Sequence, residues 1–523
     1  MRKPVFLPVI LFSLLMLASV PATDYYWEDP QSLVPSESRF PSSASNGTVS
    51  LVLWQEIVSG SPDGGTMYLS AHVYDGRSWF LRRRFTGPVS YAGDIPSIAS
   101  CAVDSQNTLL VSALFSSGDI RVFSSADFGS SWSESRVSSG GESLLSPVIF
   151  SLSDGGFLLL ATRGSSDSFT MYVSRSSDGR QWTAFTEFPP VAGLRNAFLP
   201  AHAVSGNSDV IVFQAWHENE GRFSYQLYST VSPDGGRSWS AARMVTSFDE
   251  PGISPSSAAA RFTSWHNQRP KIGSISGSLA LVWERARTSS QRYAIYYAPL
   301  GANGLLNGSP EQVSSGVGEC YAPDIVNAEG APVIVWFDNR KGVNRIYMAQ
   351  KSGFLWTETE LTRNSFDASF GRAIVAGGDL EIYWQQAQSR SANRVFRLSP
   401  DRSVKEPAIA ASNFDAGKKS RNSAVRFSVR MPDDSSGIAG YSWAWSHETP
   451  PEVPLSLAHL PEDSRISAEA DLDGSWFLGV RAADYAGNWS SPAYFEFVRD
   501  TTPPLPPVLE NPALDESGFL VSN

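Results

Sequence analysis

Cysteine is almost missing from this chain of 523 residues; Cys101 and Cys320 are the two. A disulfide framework or a cysteine-ligated zinc site needs more. Both are assigned to distant parts of the chain and are expected to stay free. Histidine is also sparse, six in all and scattered. His217-Glu218-Asn-Glu220 lacks the second His of a helical zinc motif. No glycine-rich loop offers a phosphate cradle, so neither a metal nor a cofactor is expected. Charged residues make up 18%, and 41 Lys and Arg face 52 Asp and Glu, a formal net charge of −11. A nucleic-acid partner needs a basic face that this balance withholds. The one basic run, Arg82-Arg83-Arg84, reads as the solvated edge of an outer strand. Helical periodicity is absent. Short alternating runs bounded by Gly, Pro and Ser point to an all-β chain.

Long apolar runs are confined to the N-terminus. Arg2 and Lys3 precede an apolar stretch at 5–17, then small residues with Val20 and Ala22 at the −3 and −1 positions of a cleavage site. Residues 1–22 therefore read as a secretory signal. The mature chain is expected in the periplasm or outside the cell, with no membrane span.

Three short stretches repeat one pattern. They are Ser125-Ala-Asp127-Phe-Gly129-Ser-Ser131-Trp132, Ser232-Pro-Asp234-Gly-Gly236-Arg-Ser238-Trp239 and the shorter Ser176-Ser-Asp178-Gly179-Arg-Gln-Trp182. Each supplies an Asp for backbone N–H groups, a Gly for a turn that other residues avoid, and a Trp to plug a sheet. The pattern resembles the Asp-box, or BNR repeat, of sialidase-type β-propellers. The likeness extends over about 375 residues and implies a radial array of small sheets.

Two further repeats count the blades. Apolar runs ending in an aromatic and a polar pair recur at Trp54-Gln-Glu56, Trp216-His217-Glu218, Trp283-Glu284, Trp336-Phe-Asp338 and Trp384-Gln385, with weaker copies at Leu109–Phe115 and Phe157–Arg163. A Pro opens the strand before most of them: Pro41, Pro96, Pro147, Pro200, Pro255 and Pro323, with Asp367-Ala-Ser-Phe-Gly371 in the seventh place. Proline at a strand's first residue loses no ladder bond. A seven-bladed β-propeller over 23–402 is expected. Its last blade lacks an outer strand, and Trp27-Glu-Asp-Pro-Gln-Ser-Leu-Val34 matches the outer strands, so residues 25–36 are expected to close blade seven. Residues 403–499 differ. Arg481-Ala-Ala-Asp484-Tyr-Ala-Gly487-Asn488-Trp489 resembles the late hairpin of bacterial immunoglobulin-like or fibronectin type III-like modules, which implies a β-sandwich. Residues 500–523 read as a linker or the start of a second module.

The resemblance to sialidases implies an arginine trio, an early Arg-Ile-Pro motif, a Tyr–Glu nucleophile pair and an acid Asp. The early motif here reads Gly93-Asp94-Ile95-Pro96. An Asp in place of the Arg replaces a carboxylate receptor by a carboxylate. Arg195, Arg261 and Arg372 lie near inner-strand starts, and Tyr321 lies two residues from Glu319. No catalytic residue is assigned. Glu56, Asp94, Arg195, Trp216, His217, Glu218, Glu284, Tyr321, Asp338, Arg340 and Trp384 form a candidate ring of binding residues at one mouth of the channel, since aromatic faces with carboxylates suit sugars or peptides. Against this, each carboxylate could cap its own turn, as in a local Asp338–Arg340 pair. The expected function is an exported, non-catalytic platform for a glycan or protein ligand. The alternatives are a glycoside hydrolase diverged from sialidases and a structural stalk.

Overall fold

The computed structural model describes residues 25–58, 66–86, 99–164, 168–219, 222–247, 267–286, 292–315, 317–363, 365–389, 392–506 and 517. The chain divides into two compact units, Asp29–Pro400, and Tyr25–Glu28 with Asp401–Asn523. Among the described residues there is no α-helix, and no helix is long and apolar enough to cross a membrane. Asp94, Pro96, Pro255 and Arg261 lie outside the described residues.

The first unit consists of four-stranded antiparallel sheets, an arrangement consistent with a propeller. In chain order, sheet 1 is Glu37–Ser45, Ser50–Val58, Thr66–Tyr74 and Trp79–Thr86, and sheet 2 runs from Ala99–Val103 to Ser133–Arg136. Sheets 3, 4, 5 and 6 begin with Leu145–Ser151, Arg195–Ser205, Asn267–Ile275 and Cys320–Ala328. Sheet 7 takes Ala368–Ala376, Asp379–Ala387, Asn393–Leu398 and, as its fourth strand, Gln31–Ser32 from the other end of the chain. Gln31 faces Arg397 and Ser32 faces Phe396, and the Leu33 N–H continues the ladder to the Val395 carbonyl (3.0 Å). Trp27, expected in this strand, instead belongs with Tyr25–Glu28 to the second unit. Proline at Pro30 and the short ladder explain why pairing begins only at Gln31.

Apolar second strands are buried on both faces because neighbouring sheets cover them. Sheets 7 and 1 share one core of Val34, Val52, Trp54, Ile374, Tyr383 and Val395. The Trp in or just before the fourth strand reaches the preceding sheet. Trp132 meets Phe85 edge-on (5.1 Å), Trp356 meets Tyr297 (5.1 Å) and Trp79 meets Tyr383 (6.0 Å). First strands converge as well. Lys271 and Arg372, from sheets 5 and 7, act on the thiol of Cys101 in sheet 2, which burial pushes up to about 12. Cys101 and Cys320 are both free and buried.

In the three repeated hairpins the Ser hydroxyl donates to the Asp carboxylate (2.8–3.0 Å), and the Gly N–H donates to that same hydroxyl (2.8–2.9 Å). The Ser131 hydroxyl and N–H hold the Asp127 carboxyl down at about 2, and Ser238 lowers Asp234 in the same way. Gly179 has φ 70°, and a Cβ there would meet Leu110 of the preceding sheet at 2.9 Å. The Trp rings of these hairpins are half-buried rather than fully buried.

His72 sits between the rings of Trp54 (5.9 Å) and Trp79 (5.0 Å), with Nδ1 buried and without a hydrogen-bond partner. Burial, then the charge of Arg397, lowers its pKa from 6.5 to about 4. The unfolded chain therefore binds the extra proton between these values. The stability from neutral His72 is full above pH 6.5 and lost as pH falls to about 4. After allowance for its partial exposure this is about 2 kcal/mol. His72→Phe is expected to flatten the fall in melting temperature between pH 7 and 4.5. Parallel slopes for the two proteins would contradict it.

The second unit holds two three-stranded sheets. One contains Ala408–Ala411, Ala424–Arg430 and Arg465–Glu469; the other contains Ile438–His447, Gly474–Asp484 and Ala493–Arg499. Val425, Phe427 and Ile466 from the first share a core with Tyr441, Leu478, Val480 and Phe497 from the second.

Candidate functional site

Among the described residues, the recurring prolines do not open strands. They sit inside the first strand, in a two-residue bulge where the register slips: Phe40-Pro41, Ser146-Pro147, Leu199-Pro200, Arg269-Pro270, Ala322-Pro323 and, with glycine, Phe370-Gly371. The leading residue of each has a positive φ of 49–56°. Such a conformation before proline is costly and persists only where its surroundings fix it. Proline suits the second place because the bulge leaves its missing N–H unneeded. Sheet 5 carries this feature at Pro270, while Pro255 lies outside the described residues.

The leading residue's N–H points out of its own ladder and must find an acceptor elsewhere. In three of the six it finds the polar residue of the preceding sheet's second strand. Gln214 Oε1 accepts the Arg269 N–H (2.9 Å), Glu284 Oε1 that of Ala322 (2.6 Å) and Gln385 Oε1 that of Phe40 (3.1 Å). The repeated polar residue is therefore a clamp between sheets. Register also shows that Phe213-Gln214, not Trp216-His217, is the sheet 4 counterpart of Trp54-Gln55.

A bulge re-aims side chains, and here it assembles an aromatic arc. Tyr321, Phe337, Phe370 and Phe40, each half-buried, follow one another across sheets 6, 7 and 1. Their ring centroids are 5.5, 5.7 and 5.2 Å apart. Tyr293 of sheet 5 adjoins Tyr321 at 5.7 Å. Polar groups border this end. Arg269 is half-exposed and binds the wholly buried Glu284 (3.1 Å), which also accepts from Gln268 (2.7 Å). Glu319 accepts the Tyr293 N–H (3.0 Å) and the Tyr321 hydroxyl (3.4 Å). At the other end, Arg39 pairs with Glu37. Burial, then the charge of Glu319, pushes Tyr321 up to about 12. The shift disfavours the phenolate.

The residues read from the sequence fall into separate groups. Tyr321 and Glu284 are at the arc, Tyr321 on its surface and Glu284 beneath it as a clamp. Arg195 is exposed and lies over the Trp216 ring (5.6 Å), beside a second aromatic group of Tyr225, Phe198 and Phe169. His217 Nδ1 is 3.3 Å from the Tyr228 hydroxyl, and Glu218 is exposed. Three carboxylate or aromatic assignments are corrected by burial. Glu56 lies inside sheet 1, held by Arg84 (2.9 Å) and Ser70 (2.8 Å). Asp338 is buried against Arg340 and Cys320, and Arg340 also reaches Glu358. Trp384 is fully buried against Phe396. Glu56, Asp338 and Trp384, being buried, are not available to a ring of binding residues, and Asp94 lies outside the described residues. The sequence does not single out Phe40, Phe370, Phe337, Arg269 or Tyr293 as candidate site residues. The X-Pro step is the one sequence signal that marks Phe40 and Arg269.

No known sequence family matches the chain, and no curated protein does. Among solved structures, it is similar to a polysaccharide lyase, Uly1, at 13% identity, covering 73% of this chain and 93% of that one with a TM-score of 0.43. It is also similar to a Hadza microbial sialidase, Hz136, at 13% identity over 64% and 73% of the two chains, TM-score 0.38. A mutant Trypanosoma rangeli sialidase displaying trans-sialidase activity shares 10% identity over 89% and 88%, TM-score 0.37. At these scores no residue role passes from those proteins to this one.

Proposed function

We propose that the four-stranded sheets are the seven blades of a closed propeller in an exported protein, followed by an immunoglobulin-like sandwich. We further propose that the face bearing Tyr321, Phe337, Phe370 and Phe40 binds an extended glycan without cleaving it. The observation that carries this is the row of half-buried rings at 5.2–5.7 Å spacing. Sugar rings stack on aromatic faces, and charged and hydroxyl groups at the margins fix their hydroxyls. The same site argues against hydrolysis. The phenolate of Tyr321 is disfavoured, and Glu284 is already satisfied by Arg269, Gln268 and the Ala322 N–H.

Electrophoresis in gels cast with neutral or uronate polysaccharides tests this reading. Wild-type protein is expected to be retarded by at least one of them, and Phe370→Ala to lose about tenfold in affinity while melting as a folded protein. Release of new reducing ends would favour the hydrolase. Unretarded migration in every gel would favour the stalk.

A further inference from the structure

Asp401, Asp434 and Asp484 each place a carboxylate oxygen within 4.8 Å of the other two. All three belong to the second unit but come from different parts of it. Asp401 opens the unit, and its N–H donates to the Tyr26 carbonyl (2.9 Å). Asp434 starts the turn closed by the Gly437 N–H, just before Ile438–His447. Asp484 ends Gly474–Asp484, where the chain turns back to Asn488. Among the described residues, no lysine or arginine is paired with any of the three.

A second observation points into the cluster. Asp401 is only 3% exposed, and its Oδ2 is buried with no hydrogen-bond partner. Its other oxygen is provided for by the Ser403 N–H (3.3 Å) and the Asn488 amide (3.4 Å). A buried carboxylate oxygen without a donor, beside two further carboxylates, is unfavourable unless a positive charge joins them.

We propose that Asp401, Asp434 and Asp484 bind a calcium ion. The donors are all oxygen, which suits a hard cation and not zinc. Calcium takes oxygen ligands at 2.3–2.6 Å, so donors around one ion lie up to roughly 5 Å apart, as these do. The supporting contacts hold the donors in place. The Asn488 amide donates to Asp484 Oδ2 (2.7 Å) and to the Asp401 carbonyl (3.2 Å), and its N–H donates to Asp484 Oδ1 (2.7 Å). The Ser436 N–H and hydroxyl hold Asp434 Oδ1 (3.0 and 2.8 Å). An ion here ties together three segments that are remote in sequence and stabilises the folded unit by mass action.

The test uses the full chain. Thermal unfolding is followed in EGTA, in millimolar calcium chloride and in the same concentration of magnesium chloride. Calcium is expected to raise the midpoint of one transition by about 3 °C or more, and magnesium to raise it less. Asp434→Asn is expected to lose the calcium response, and Asp415→Asn, at an exposed acid outside the cluster, to keep it. Terbium luminescence sensitised by tryptophan and displaced by calcium gives a second reading on wild type, which decides the matter if Asp434→Asn does not fold. Identical melting in EGTA and calcium, with no calcium-displaceable terbium signal, would overturn the proposal.

Discussion

Removal of residues 23–36 is expected to destabilise the first unit by about 3–5 kcal/mol and to make the protein self-associate. The loss has two sources. Val34 is buried, and Leu33 half-buried, in the core that joins sheets 7 and 1, so two apolar side chains leave it together. The Asn393–Leu398 edge also loses Gln31, Ser32 and the Leu33 N–H that pair with it. The exposed N–H and C=O groups then offer a template to other chains. Melting and light scattering of the shortened protein check this. A monomer with unchanged melting would show that the edge needs no cover.

Glu284→Ala is expected to cost about 3 kcal/mol, and Glu284→Gln about 1–2 kcal/mol. Alanine strands the Ala322 N–H and leaves Arg269 without its carboxylate, although the half-exposed guanidinium recovers part of this from water. Glutamine keeps an acceptor for the bulge N–H and loses only the ion pair. Urea unfolding of both variants separates a clamp from a ligand-binding carboxylate. A surface binding residue would show no such order, and equal stability of all three proteins would remove the clamp.

The parts of the fold that rest on local chemistry were legible. The hairpin Asp, Gly and Trp act within a few residues of one another, and the apolar second strands recur at a regular distance. What escaped was the register. A Pro inside a bulge and a Pro at a strand start look alike in sequence, so nothing local distinguishes Pro270 or marks Arg269 before it. Trp216 matched the aromatic pattern by type, yet it stands off the position that Phe213 fills. Glu56, Glu284 and Asp338 read as a shared mouth because they follow the same strands, but each is buried against its own partners. The arc was hidden because its rings come from three sheets and from both first and second strands. The carboxylates of Asp401, Asp434 and Asp484 are similarly far apart in the chain.

The row of rings makes a claim about length. Under the proposed reading, a row of four half-buried aromatics would take a chain of several sugar units rather than a single sugar in a pocket. Titration calorimetry with oligosaccharides of increasing length, cut from whichever polysaccharide retards the protein in gels, measures this directly. Affinity is predicted to rise with each unit up to about four and then level off, and to fall about tenfold for the four-unit chain in Phe370→Ala. A monosaccharide bound as tightly as the longer chains, unaffected by Phe370→Ala, would contradict the arc as the binding face.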